Sequence, residues 1–216
     1  MQLVLTPAML LQAYRQGVFP MAEAQNDPRL YWFDPQARGI LPLDGFHISR
    51  SLARRIRSRQ FRISFDTAFA HVVDGCADRP STWINSEIRR LFIELYAMGQ
   101  AHSLEVWDGP DLVGGVYGVR VGGCFCGESM FSRRTDASKV ALAYLVTHLR
   151  ACGFTLFDTQ YLTDHLASLG GIEIPRRDYR ARLRTALQIT PRDPRTTALP
   201  IPDQVLQLRT QISNRL

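Results

Sequence analysis

The sequence predicts a mixed α/β domain, and three observations carry that prediction. Segments 102–107, 112–121 and 124–131 have the β-branched and aromatic composition of consecutive strands. A helical segment follows from Asp136 to Gly153, and an apolar strand comes directly after it at 155–160. This order of strands, helix and strand is typical of a mixed, mostly antiparallel sheet with flanking helices.

The N-terminal region reads as a short helix followed by loops. Thr6 supplies a capping side chain, Pro7 suits the first helical position, and the pattern predicts a helix over 8–16. Segment 18–45 then carries four prolines between aromatic residues, which favours a small irregular annex. We expect three units: the annex at 1–45, the main domain at 46–188 and a C-terminal extension at 189–216.

A second helix is predicted over 49–59, and its charges are unusual. Arg50, Arg54 and Arg57 fall on one face of it. Like charges at this spacing repel by a few tenths of a kcal/mol per pair unless an anion neutralises them. The stripe is therefore either a solvated helix face or an anion-binding surface.

The remaining elements follow in order. A strand is predicted at 61–65, a helix capped by Asp66 runs to about Cys76, and a longer helix runs from Asn85 to Gly99. A last core helix is expected at 178–187, and a proline-rich tail after it ends in a short amphipathic helix. Glycines weaken strand propensity and are expected to mark bulges or close approach of a ligand: Gly114, Gly115, Gly118, Gly122, Gly123 and Gly127.

Composition narrows the class of protein. At 45% apolar and 21% charged residues, the 216-residue chain can bury a full core, which excludes disordered and collagenous classes. A net charge of +6 favours an anionic partner. The four cysteines show no metal-ligand spacing, so no metal site is expected. No signal peptide and no run of ~18 apolar residues is visible, so we expect a cytoplasmic protein without a membrane partner.

Carboxylates occupy strands that should be apolar. Strand alternation places Asp158 and Gln160 on one face, and places Glu128 on the face of Cys126 and Met130. A desolvated carboxylate is costly without a partner. Two interpretations stay open: the carboxylates pair with arginines of the core, or they line a cleft in which an amine is held and deprotonated.

Several uninterrupted words resemble a known family over about residues 5–187. They are YRQGVFP at 14–20, FDPQARGILP at 33–42, GESMFSR at 127–133, DASKVAL at 136–142, DTQ at 158–160, HLASLG at 165–170 and EIPRRDY at 173–179. The chain resembles the bacterial leucyl/phenylalanyl-tRNA–protein transferases.

The resemblance implies a GNAT-like acyltransferase fold and a defined reaction. Leucine or phenylalanine, and less readily methionine, moves from charged tRNA to proteins with N-terminal arginine or lysine, marking them for N-end rule degradation. The resemblance also implies a monomer that uses no cofactor.

The same resemblance assigns the site residues. Asp158 and Gln160 are implied to be catalytic, with Glu128 near the reacting amine. Trp83 is implied to stack on adenosine, beside Met21. The implied aminoacyl pocket consists of Val116, Phe125, Met130, Leu142 and Leu145, and the implied tRNA contacts are Arg50, Arg54 and Arg57.

Some positions depart from the family pattern. Met21 replaces a tryptophan, which weakens one aromatic clamp because a thioether packs on a base without stacking like an indole. The chain also shows a shorter N-terminal leader, so a smaller annex is expected. Thr159 stands where family members often have cysteine, and its side chain is expected to face away from the cleft. Val116 replaces a bulkier residue of some members and is expected to widen the pocket.

Two other functions compete with this one. An acyl-coenzyme A N-acyltransferase would need a glycine-rich loop before the helix at 136, and FSRRTDASKV has no glycine. A non-catalytic tRNA-binding module would account for the arginine stripe but would leave Glu128, Asp158 and Gln160 without a role.

Overall fold

The computed structural model describes residues 5–25, 27 and 29–208, and a seven-stranded sheet dominates it. The strands are β1 Phe19–Met21, β2 Tyr31–Phe33, β3 Ala37–Ile40, β4 Arg62–Phe65, β5 Ala101–Asp108, β6 Asp111–Val121, β7 Cys124–Ser132, β8 Leu156–Gln160 and β9 Ile172–Pro175. The helices are α1 Pro7–Arg15, α2 Arg50–Arg57, α3 Phe69–Ala77, α4 Ser86–Ala97, α5 Ala137–Cys152, α6 Asp164–Ala167, α7 Arg176–Leu187 and α8 Pro202–Leu206.

The main sheet has the strand order β4-β5-β6-β7-β8-β3-β9, and β1 pairs with β2 in a separate ribbon. Neighbouring strands are antiparallel except for β7 and β8, which run parallel. Two parallel neighbours need a crossover connection, and α5 supplies it. The mixed, mostly antiparallel sheet predicted from the sequence is therefore confirmed.

Apolar side chains cover both faces of the sheet. On the front face, α2, α5 and α8 contribute Leu52, Leu142 and Val205 to one buried cluster. On the back face, α1, α3, α4 and α7 contribute residues such as Tyr14 and Tyr179 to a second cluster. None of the helices in the described ranges is long and apolar enough to cross a membrane.

The predicted helices and strands recur with small shifts at their ends, and one predicted cap is wrong. Asp66 does not cap α3, which begins at Phe69. Its backbone is left-handed (φ 54°), and its carboxylate instead accepts a hydrogen bond from the Ser103 backbone N–H at 2.7 Å and contacts His102 Nδ1 at 2.6 Å.

The expected annex contributes to the main sheet. Residues 37–40 form β3, which inserts between β8 and β9. The chain before β3 packs on the back face through α1 and Phe19. The expected C-terminal extension ends in α8, whose neighbourhood buries Val205 and Leu208 in the front-face cluster.

Candidate active site

The site begins where two parallel strands separate. Pairing between β7 and β8 covers only residues 124–126 and 156–158, after which both strands continue without facing each other. Beyond the paired residues, each strand continues for a few residues along the gap. Glu128 of β7 and Gln160 of β8 lie there. A sheet that splays in this way offers a cleft lined by backbone and by side chains from both strands.

A bulge places Glu128 in the gap. Tyr117 pairs with Ser129 and Gly118 pairs with Gly127, so Glu128 is the extra residue of β7. A Cβ at Gly118 would lie 2.3 Å from the Cys126 carbonyl oxygen, which explains the glycine. The glycine-based prediction of a bulge is confirmed here.

The bulge also overturns a prediction from strand alternation. Cys126 and Met130 were expected on one face, but Cys126 packs in the back-face cluster and Met130 against the front-face cluster. The extra residue shifts the alternation by one, so every later side chain of β7 changes sides.

Strand alternation fails at the end of β8 as well. Gln160 has left-handed backbone (φ 65°), which turns its side chain away from the direction that an extended strand would give. Thr159 lines the cavity together with Phe157, so the prediction that Thr159 faces away is wrong. Asp158 lies behind this wall.

The cavity at the gap measures about 480 Å³. Its wall contains seven of the residues assigned by resemblance: Met21, Trp83, Val116, Glu128, Met130, Leu142 and Gln160. Six others do not line it, and three of these are Arg50, Arg54 and Arg57 of α2. Phe125 and Leu145 are buried in the front-face cluster, and Asp158 has no exposed surface.

Glu128 is the carboxyl group of this cavity wall. Its Oε1 accepts a hydrogen bond from Gln160 Nε2 at 3.0 Å, while its buried Oε2 has no partner among the described residues. The Tyr14 hydroxyl lies nearby and favours the ionised carboxyl, but it closes no hydrogen bond of good geometry. Burial dominates and raises the pKa of Glu128 to about 8.

Asp158 is held by a buried arginine. Arg38 Nε and Nη2 donate to its two oxygens at 2.8 and 2.7 Å, and the Tyr179 hydroxyl donates to Oδ2 at 2.8 Å. Arg38 is also clasped between the rings of Phe19 and Tyr179, with centroids 4.6 and 4.4 Å from its Cζ. Of the two interpretations left open by the sequence, pairing with a core arginine is the one that describes Asp158.

This ion pair acts on the cavity through the backbone. Asp158 Oδ1 accepts a hydrogen bond from the Gln160 backbone N–H at 2.9 Å. The pair therefore fixes the turn that aims Gln160 at Glu128. Removing one partner of such a buried pair typically costs about 3–5 kcal/mol, because an uncompensated charge remains.

Sequence reasoning missed Arg38 and much of the cavity wall. Arg38 lies in a stretch interpreted as loop, and only its place inside the word FDPQARGILP singled it out. The missed wall residues are Arg79, Gly127, Ser129, Phe157, Thr159, Tyr161, Thr163, His165 and Leu166. Most of them come from words used for the resemblance or from turns, where no periodic pattern operates.

The arginine stripe lies on α2. Arg50, Arg54 and Arg57 are exposed, and no described carboxylate forms a salt bridge with any of them. The buried side of α2 packs in the front-face cluster, which also supplies Leu142 and Phe157 to the cavity. The helix that carries the stripe and part of the cavity wall therefore pack in the same front-face cluster.

The strand order, the separation of β7 from β8 and the crossover helix α5 agree with the GNAT-like fold that the resemblance implied. The solved structure of FemX is similar to it with a TM-score of 0.52 at 12% identity, covering 77% of this chain and 66% of that one. A likeness at this identity concerns the fold alone.

Sequence comparisons identify the family. A model described as leucyl/phenylalanyl-tRNA protein transferase matches residues 40–184, and that family's N-terminal domain matches residues 4–36. A transferase of that name from Cereibacter sphaeroides is 66% identical over 85% of this chain and 86% of its own length. Another from a Ruegeria species is 60% identical over 98% of this chain and 100% of its own. The chain belongs to the leucyl/phenylalanyl-tRNA protein transferase family and is an aminoacyltransferase.

Proposed function

We propose that this enzyme transfers leucine or phenylalanine, and less readily methionine, from charged tRNA to the α-amino group of proteins with N-terminal arginine or lysine. The product then enters the N-end rule degradation route. One observation carries the proposal: a hydrogen-bonded carboxyl–amide pair, Glu128 and Gln160, faces a largely apolar cavity.

The apolar part of the cavity suits the donated amino acid. Val116, Met130, Leu142, Phe157 and Leu166 line it, and none of them offers a charge or a strong hydrogen-bonding group. Its volume of about 480 Å³ falls within the range of about 300–1,000 Å³ typical of small-ligand sites. Trp83 and Met21 complete the wall, where they are proposed to pack on the terminal adenosine.

The polar part suits the acceptor amine. Gln160 gives its amide N–H to Glu128, which leaves its amide oxygen available to accept a hydrogen bond from the amine. The pKa of Glu128 is about 8, close to the 7.7–8.0 of an α-amino group. With matched values, the proton shared by amine and carboxyl can move either way at little cost.

The reaction follows from this arrangement. The amine nitrogen attacks the ester carbonyl carbon, a C–N bond forms, and the bond from that carbon to the ribose oxygen breaks. Glu128 in its ionised form takes the proton that the amine loses and returns it to the ribose oxygen as that oxygen leaves. Arg38 and Asp158 hold Gln160 in place. Aminolysis of an ester is downhill, so alignment and one proton transfer suffice.

The test uses purified protein, leucyl-tRNA labelled in the leucine, and a peptide that begins with arginine. We expect label in that peptide, little in a matched peptide that begins with alanine, and a lower rate with methionyl-tRNA. Equal labelling of both peptides would overturn the acceptor preference. Transfer from acetyl-coenzyme A in a parallel reaction would support the acyl-coenzyme A alternative.

The proposal also concerns setting and assembly. We place the enzyme in the cytoplasm, as expected from the sequence, and propose that it is a monomer, as the family resemblance implies. Sedimentation of the purified protein alone and with tRNA tests the second point, and a dimer in the absence of tRNA would contradict it.

A further inference from the structure

We infer that Arg79 is a positioning residue that binds the 5′-phosphate of the terminal adenosine of the donor tRNA. This inference rests on the proposed function and concerns one end of the same cavity. Arg79 lies two residues beyond α3 and contributes to the cavity wall while remaining exposed.

Two hydrogen bonds orient the guanidinium of Arg79. Its Nε donates to the Cys76 carbonyl oxygen at 2.7 Å, and its Nη2 donates to Ser129 Oγ at 2.8 Å. Ser129 follows Glu128 in β7 and also lines the cavity. The cation is therefore anchored to both α3 and β7 at the edge of the gap, and three of its five N–H donors remain for a ligand.

Arg79 is anchored without being neutralised. No carboxylate of the described chain lies within salt-bridge distance of it, whereas Arg89 and Arg133 nearby pair with Asp74 and Asp78. Both bonds of Arg79 go to uncharged oxygens. A preorientated guanidinium with free donors is a good receptor for a phosphate, whose oxygens match its planar fork.

The position of Trp83 indicates which phosphate is meant. Trp83 follows Arg79 by four residues and lines the same cavity. With the adenine on Trp83 and the aminoacyl group against Leu142, as proposed above, the anion of that nucleotide is its 5′-phosphate, and Arg79 is the cation of the same cavity wall that we assign to it.

The experiment compares two minimal donors that differ only in that phosphate. They are 3′-O-phenylalanyl-adenosine with and without a 5′-monophosphate, and the acceptor is the arginine peptide. For Arg79→Gln we expect kcat/KM to fall roughly ten-fold or more with the phosphorylated donor, the size of one charge-assisted hydrogen bond, and to fall far less with the donor that lacks the phosphate. Arg79→Lys should lie between wild type and Arg79→Gln.

Arg184→Gln is the matched control, because Arg184 is an exposed arginine of α7, a helix that packs on the back face. It should behave as wild type with both donors. With full-length phenylalanyl-tRNA, Arg79→Gln should also reduce the salt slope of log(kcat/KM) by about 0.7, the value for one single-strand phosphate contact.

Each outcome of this comparison decides one point. An equal loss with both donors would show that Arg79 only supports Ser129 and Glu128, and no loss with either donor, with an unchanged salt slope, would remove the inference. If the minimal donors react too slowly, the salt slope with full-length tRNA decides. A wild-type enzyme that leaves phenylalanyl-tRNA untouched would instead refute the proposed function.

Discussion

Glu128 combines a structural cost with a proposed catalytic use. Its folded pKa of about 8 lies above the ordinary value of 4.5. Between these two values the unfolded chain is ionised while the folded chain keeps the proton, so stability falls as pH rises. The slope is at most about 1.4 kcal/mol per pH unit, and it ends above pH 8.

Glu128→Gln should therefore stabilise the protein and inactivate it. We expect its melting temperature to exceed that of wild type by little at pH 5 and by clearly more at pH 8, because the amide cannot ionise. Transfer from leucyl-tRNA should fall at least roughly a hundred-fold, the usual range for loss of a general base. Thermal denaturation at both pH values and a single-turnover assay measure the two effects.

Glu173→Gln is the control, since Glu173 is an exposed carboxylate of β9. It should leave both quantities unchanged. A Glu128→Gln melting temperature that tracks wild type at every pH would mean that the carboxyl is not held protonated.

At the residue scale, the sequence predicted which side chains gather near one cavity better than where they point. Glu128 and Gln160 line it, as the cleft interpretation of the sequence expected. Asp158 lies behind the cavity wall. The orientations at this site could not be predicted, because period-two alternation does not anticipate a bulge at 128 or a left-handed residue at 160. The partner of Asp158 was also out of reach, since Arg38 is 120 residues distant along the chain.

At the element scale, prediction succeeded for the long elements. α5 buries most of its length and has glycine at its C-cap, and β5, β6 and β7 have 8, 11 and 9 residues, rich in β-branched and aromatic side chains. Four short strands were not predicted from the sequence. β3 and β9 have four residues each, and β1 and β2 have three. Strands this short depend on their neighbours in the sheet, and that pairing is not visible in local composition.

The arginine stripe on α2 is proposed to bind tRNA, and charge reversal in the stripe tests this. Reversal of two charges, Arg54→Glu with Arg57→Glu, should weaken binding of leucyl-tRNA and reduce the slope of log affinity against log salt by about 2. The reason is that a phosphate which no arginine neutralises keeps its condensed counterions when the protein binds. Filter binding across a salt titration measures both quantities, and a melting curve checks that the helix stays folded.

A double reversal on α7, Arg182→Glu with Arg184→Glu, serves as the control for net charge. It changes the total by the same amount on exposed positions of another helix. If both double variants weaken binding equally, the effect belongs to overall charge and the stripe has no special role.

At the scale of the whole molecule, the two faces of the sheet contribute different parts of the site. The back face buries the Arg38–Asp158 pair, which fixes the end of β8. The front face carries the apolar part of the cavity and the helix with the stripe, and the C-terminal segment closes it. That segment is pinned by His148, whose Nε2 donates to the Pro194 carbonyl oxygen at 2.9 Å. The Nδ1 of His148 is buried without a partner in the described part of the chain.

This arrangement makes the closure sensitive to acid. Burial, the largest cause, lowers the pKa of His148, and the hydrogen bond to the Pro194 carbonyl opposes it. Among weaker effects His102 lowers the pKa and Asp66 raises it. The unfolded histidine takes up a proton near pH 6.5 while the folded one stays neutral, so stability falls as pH drops below that value. The effect is opposite in sign to that of Glu128, so wild-type stability reflects both and each group must be judged against its own variant.

His148→Gln separates the two, because its amide N–H can keep the bond to Pro194 while the protonation is removed. We expect wild type to lose melting temperature between pH 7 and pH 5, and the variant to lose less. The protection of α8 amides from hydrogen exchange, relative to the unfolded chain at the same pH, should fall in acid in wild type alone, since Val205 of α8 packs in the front-face cluster that covers this side of the sheet. Equal acid sensitivity of both proteins would show that His148 is not the source of the effect.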